Sequence, residues 1–147
     1  MTFPPAGKRV QVRGSDGERE AGMVIFDRRF DASTLHLLRE RVAACTAGAG
    51  MPEDRAVDVL LAVHELAANA VRHGGGAGRL LMRAIAGTLR CQVSDVGPGA
   101  GPWPVRQGHG LWLVRAVADE VTTSYGPRGS QITVTFRWHS HLGAQAT

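Results

Sequence analysis

Val63–Gly76, VHELAANAVRHGGG, is the stretch that decides how this chain is read. An amphipathic helix ordinarily sorts polar and apolar residues onto two faces. Here Glu65 and Asn69 stand at i and i+4, on one side of a helix, among alanines and valines. Three glycines, Gly74 to Gly76, then stop the helix. A carboxylate and a carboxamide one turn apart present two kinds of oxygen. Mg²⁺ takes oxygen ligands, keeps several waters, and uses one or two protein groups beside substrate phosphates, so the pair suits such an ion. In isolation the same pair is more often a solvated polar face.

The helix around that pair is predicted to open at Pro52, Glu53 and Asp54 and to run to His73. Proline fits a first turn, and acids suit the positive end of the helix dipole. Val57, Leu60, Val63, Leu66, Ala67 and Ala70 form its expected apolar stripe. Upstream, GMVIFDRRF from Gly22 reads as a strand. DASTLHLLRERVAACTA reads as a helix capped by Asp31 or Ser33, with Leu35, Leu38, Val42 and Cys45 at helical spacing. Downstream, RLLMRAIAG and TLRCQVSDV predict a hairpin turning near Gly87. A Gly/Pro loop fills 97–110, LWLVRAVADE predicts a short helix, and VTTSYG with SQITVTFRW predicts a closing hairpin. Residues 1–20 are rich in Pro, Gly and charge; they and the tail 140–147 are expected to be flexible, which leaves one domain over 21–139. Strand, two helices, hairpin, loop, helix, hairpin predicts an α/β fold. The expected form is a two-layer α/β sandwich, its sheet mixed but mostly antiparallel, with helices on one face.

Two more boxes carry chemistry. SDVGPGAG puts Asp95 at a strand end, followed by Gly97 and Gly99. A carboxylate only accepts hydrogen bonds, so it can take the exocyclic amine of adenine, and glycines let backbone approach a flat base. GHGLWLV puts Gly108 and Gly110 just before a helix, where free N–H groups and the dipole favour phosphate. Each box alone also reads as an ordinary turn.

Bulk properties narrow the classes. The formal charge of +4 comes almost wholly from arginine, with Lys8 the only lysine. No dense arginine cluster is interleaved with aromatics, which argues against direct nucleic-acid binding. No apolar run approaches the ~20 residues that span a bilayer, and the N-terminus lacks a signal-type apolar core. Cys45 and Cys91 form no CxxC pair and are expected to be reduced. A cytoplasmic protein without a membrane partner is expected. A zinc-protease helix would need histidine at 68, which is Ala68. A phosphate-binding Gly-Lys-Ser/Thr loop is missing, and a dinucleotide turn would need glycine at Leu113.

The three boxes in this order, LLAVHELAANAVRHG, DVGPG and GHGLWLV, with GSQITVTF at the end, resemble the GHKL superfamily of gyrase, histidine-kinase and mismatch-repair ATPases. Within it they look most like the compact bacterial anti-sigma-factor serine/threonine kinases. The resemblance spans about Gly22 to Trp138 and implies a Bergerat-type ATP-binding fold with ATP and Mg²⁺ as cofactors. It implies Asn69 as the Mg²⁺ ligand, Glu65 as catalytic base and Asp95 as the adenine-reading acid. Gly97, Gly99, Gly108 and Gly110 match the glycines around base and phosphates; His109 contributes backbone rather than ring, and Leu111 belongs to the same turn. The implied partners are a sigma factor and an anti-anti-sigma antagonist, with a homodimer as a further property of the family. A histidine autokinase would instead need a phosphoacceptor histidine on a dimerising helical hairpin, which is not found before the first strand.

One stretch departs from the pattern. AGPWPVRQ, between Gly99 and Gly108, is short for an ATP lid and holds two prolines. Arg106 is its one cation that could reach phosphate. The short lid keeps an alternative open: a nucleotide-gated protein-binding module with little or no kinase turnover.

Overall fold

The computed structural model describes residues 10–11, 22–95, 109–126 and 129–139. They form a six-stranded mixed sheet with helices against one face, as the element order predicts. The strands are β1 (Val10–Gln11), β2 (Met23–Asp31), β3 (Ala77–Ile85), β4 (Thr88–Asp95), β5 (Glu120–Gly126) and β6 (Gly129–Arg137). The helices are α1 (Leu35–Gly48), α2 (Glu53–His73) and α3 (His109–Val117). The spatial order is β1-β5-β6-β4-β3-β2. All pairings are antiparallel except β1 with β5. Val10 and Gln11 lie in the stretch expected to be flexible, yet they pair with Val121 and Thr122.

Alternation along the strands builds the core. β4 buries Leu89, Cys91, Val93 and Asp95, and β6 buries Ser130, Ile132, Val134 and Phe136, every second residue in each. Their neighbours Arg90, Gln92, Gln131 and Thr133 point to the other face. On that face Arg29 stands opposite Arg79, and Arg83 opposite Arg90. The hairpin turns where expected, at Gly87, with φ of 73°. Asp31 does cap: its carboxylate accepts from Ser33 N–H at 2.9 Å, and its own N–H donates to Thr34 Oγ1 at 2.9 Å. This capping box starts a 3₁₀ turn, Ala32–Thr34, that leads into α1. Leu38, Val42 and Thr46 then face inward at four-residue spacing.

The central helix keeps its expected stripe except at Val57, and buries more than that stripe. Val57 is 57% exposed and faces a groove between α1 and α2, beside His36 and Leu61. Val63, Leu66, Ala67 and Ala70 of that stripe are buried, and Val59, Ala62 and Ala68 are buried with them. The cause is that α2 packs against the sheet, α1 and α3 together, so its second half is enclosed on nearly every side. Small alanines let three elements approach one helix.

Candidate functional site

The site begins where α2 ends. Asn69 is 6% exposed, so the solvated-face alternative does not hold for it, while Glu65, one turn earlier, is half-buried. Asn69 precedes Gly74 by five residues, about 8 Å of helix. Gly74 closes α2 by donating its N–H to Ala70 O at 2.9 Å. Gly74 has φ of −108°, and the left-handed backbone falls on Gly75 (98°) and Gly76 (91°). Gly74 is required for a different reason. A Cβ on it would lie 2.6 Å from Asp95 Cβ and 2.7 Å from Asp95 Oδ2.

Asp95 ends β4 and is 6% exposed. Its Oδ1 accepts the backbone N–H of Ser130 at 3.1 Å, across from the start of β6. In the sheet Asp95 pairs with Gly78, which pairs with Phe30, so the three form one row across β4, β3 and β2. Gly78 is bare for the same reason as Gly74: a Cβ there would meet Phe30 Cζ and Ser94 O, each at 2.6 Å. Asp95 is thus fixed by one backbone donor, one glycine-lined approach and one strand pairing. A carboxylate held this way is an acceptor of defined direction, suited to a ligand N–H.

The strand directions place α3. β5 opens at Glu120, opposite Thr135 near the end of β6, so Val117 lies at the sheet end far from Asp95. α3 therefore runs antiparallel to α2, and His109, Gly110 and Leu111 at its start face the Asp95 end. Leu111 is buried at 3% exposure and anchors this first turn to the core. Gly97, Gly99, Arg106 and Gly108 lie outside the described residues. Among those described, Asp95, Gly74 and the first turn of α3 lie at one end of the sheet, with Asn69 five and Glu65 nine residues before Gly74 along α2. The supporting residues Gly74, Gly78, Phe30 and Ser130 carried no signal in the sequence beyond a glycine run and the GSQ turn.

The arrangement can be tested for fit to a magnesium nucleotide. Among the described residues no group of three or more His, Cys, Asp or Glu could hold a metal ion unaided. The oxygen-bearing side chains are few and mixed, which suits Mg²⁺ shared with phosphates rather than an all-protein cage. Asp95 offers the directed acceptor that an adenine amine requires. The residues present fit the group. Among the described residues no helix is long and apolar enough to cross a membrane.

Comparison with known proteins bears on the fold and the family. The fold is similar to the crystal structure of the RsbU and RsbW domains of Rv1364c from Mycobacterium tuberculosis, with TM-score 0.62 and 22% identity over 76% of this chain. The chain spans about a third, 32%, of that longer protein. No curated protein matches the sequence. The histidine kinase-like ATPase domain family matches residues 29–136, from the end of β2 to the end of β6, and the chain belongs to that family.

Proposed function

We propose that this protein is an ATP-binding anti-sigma regulator that phosphorylates a Ser or Thr of an anti-anti-sigma antagonist and sequesters a sigma factor. The observation that carries the reading is the fixing of Asp95 by Gly74 and Ser130 at the end of the helix that bears Glu65 and Asn69. Membership of the ATPase family supports nucleotide binding, and the RsbW domain in the similar structure supports the choice of partners.

The chain's own groups divide the work. Asp95 accepts from the adenine amine. Asn69 would hold Mg²⁺ through its amide oxygen. Bound Mg²⁺ would offset phosphate charge during transfer. Glu65, half-buried and one turn from Asn69, accepts the proton of the attacking hydroxyl. The backbone at the start of α3 donates to phosphate oxygens, where the helix dipole favours negative charge. Phosphoryl transfer depends chiefly on such positioning and charge stabilisation. The nearer alternative, a nucleotide-gated binding module with little turnover, is favoured by the short lid sequence AGPWPVRQ.

Calorimetric titration of wild type and Asp95→Asn with Mg²⁺-ATP tests the pocket. Asparagine turns one acceptor into a donor, and the expected loss is about 10- to 100-fold in affinity, the cost of leaving a buried polar group unmatched. Unchanged affinity removes the adenine assignment. Radiolabelled ATP with an anti-anti-sigma protein then separates a kinase from a gated binder.

A further inference from the structure

Arg55 breaks a local rule. It sits in the first turn of α2, where a cation opposes the helix dipole. Glu53 and Asp54 beside it follow the rule. The guanidinium is nevertheless tied down on every side. Its Nη1 donates to Asp58 Oδ2 at 2.7 Å and to Val117 O at 2.9 Å. Nη2 donates to Asp119 Oδ2 at 2.5 Å, and Nε donates to Arg137 O at 3.2 Å. The group also lies 5.3 Å from the centroid of the Phe136 ring. Asp119 Oδ2 in turn accepts Arg137 N–H at 2.7 Å, and Asp119 N–H donates to Thr135 O.

A guanidinium misplaced on its own helix is well placed on another. Val117 O is one of the last carbonyls of α3, at the negative end of that dipole, where a cation is favourable. The residues joined lie far apart in sequence, 62 positions for Val117, 64 for Asp119 and 82 for Arg137. One planar fork thus fixes the C-terminal end of α3 to the start of α2 and the end of β6. A nine-residue helix is short and stiff, so fixing one end fixes the direction of the other.

We propose that Arg55 is a positioning residue: it holds the C-terminal end of α3 so that the opposite end is set where nucleotide phosphates lie. The proposal rests on the nucleotide reading above and adds a residue outside the three sequence boxes. Only the fork geometry bridges Asp58, Val117 O, Asp119 and Arg137 O at once; a point charge on a flexible stem does not.

The test uses the whole chain with Arg55→Met and Arg55→Lys. In the absence of ligand, hydrogen exchange is read by mass spectrometry over α2 and α3. Both variants are expected to speed exchange in 109–117 by about tenfold while the second half of α2 keeps wild-type protection, because local units open separately. By calorimetry, Mg²⁺-ATP affinity is expected to fall about tenfold, within the usual range of coupling between packed sites, and adenosine affinity to change less than about twofold. A merely structural role would weaken ATP and adenosine alike, or loosen α2 and α3 together, and either result overturns the proposal. Wild-type behaviour of Arg55→Lys also overturns it, since a bare charge would then suffice. If wild type binds neither ligand, the nucleotide reading fails, and the exchange data alone decide whether Arg55 holds α3.

Discussion

Gly74 and Asp95 occupy space that only a glycine leaves open: a methyl group on Gly74 would overlap the aspartate's Cβ and carboxyl. The end of the central helix and the tip of β4 are therefore one packing unit. Gly74→Ala at an ordinary helix end would stabilise the chain by about 0.4–1 kcal/mol through the unfolded state. Here the clash is expected to win, at roughly 1–3 kcal/mol of lost stability, the usual cost of overpacking. A control is Gly48→Ala, where nothing lies within 4 Å of the new Cβ. Thermal unfolding should show a lower Tm for Gly74→Ala than for Gly48→Ala, with nucleotide affinity reduced only in the former. Equal Tm values would mean the approach is looser than described.

Glu65 and Asn69 should separate in function although they are one turn apart. Glu65→Gln keeps size and polarity, so nucleotide binding should survive while phosphoryl transfer drops by about 10²–10⁴-fold, the usual worth of a general base. Asn69→Ala should instead abolish the difference between ATP affinity measured with Mg²⁺ and with a chelator. A single phenotype shared by both variants would refute the division of roles.

Two carboxylates of β2, one mid-strand and one at its end, shape the acid limb of stability. The hydrogen bond from Arg79 holds Asp27 below its ordinary value of 3.8. The hydrogen bonds from the Ser33 side chain and backbone hold Asp31 below the same value. A carboxyl depressed in the native state binds fewer protons there than in the unfolded chain, so its contribution is present above about pH 4 and disappears as pH falls through the native value. Asp27→Asn and Asp31→Asn should each be less stable than wild type at pH 7 and converge with it near pH 2. The Asp27 difference should shrink in 1 M salt, because the pair is exposed and screened. Urea midpoints across pH measure both. A gap that persists at low pH would point to packing instead.

The two thiols should react in sequence. Burial pushes both Cys45 and Cys91 above the ordinary thiol value, Cys91 much further, and the thiolate is the reactive form. Cys45 is only partly buried and donates to Ile25 O at 3.6 Å. A thiol reagent at pH 8 should label Cys45 slowly in the native protein and reach Cys91 only through unfolding. Peptide mapping that finds Cys91 modified first would contradict its place in the core.

Much of this was legible in the sequence where the signal was local. The 21-residue α2 announced itself by period, by its acidic start and by its glycine end, and Gly87 marked the hairpin. Asp31 could be read as a cap because Ser33 and Thr34 follow it. What was hidden depended on partners far along the chain. Gly74 looks like a helix stop until β4 arrives beside it. Arg55 looks like a misplaced surface charge until α3 and β6 close over it. Val57 falls on the apolar stripe because helical period says which residues share a face, not how many neighbours will cover that helix. β1 is two residues long, too short to carry any period at all.

The sheet's two margins, among the described residues, are β1 and β2. One is a two-residue strand and the other places Asp27, Arg28 and Arg29 at its centre, all exposed. A strand from another molecule adding to β2 would have to lie alongside these three charges. Such a margin resists growth by strand addition on that side of the sheet.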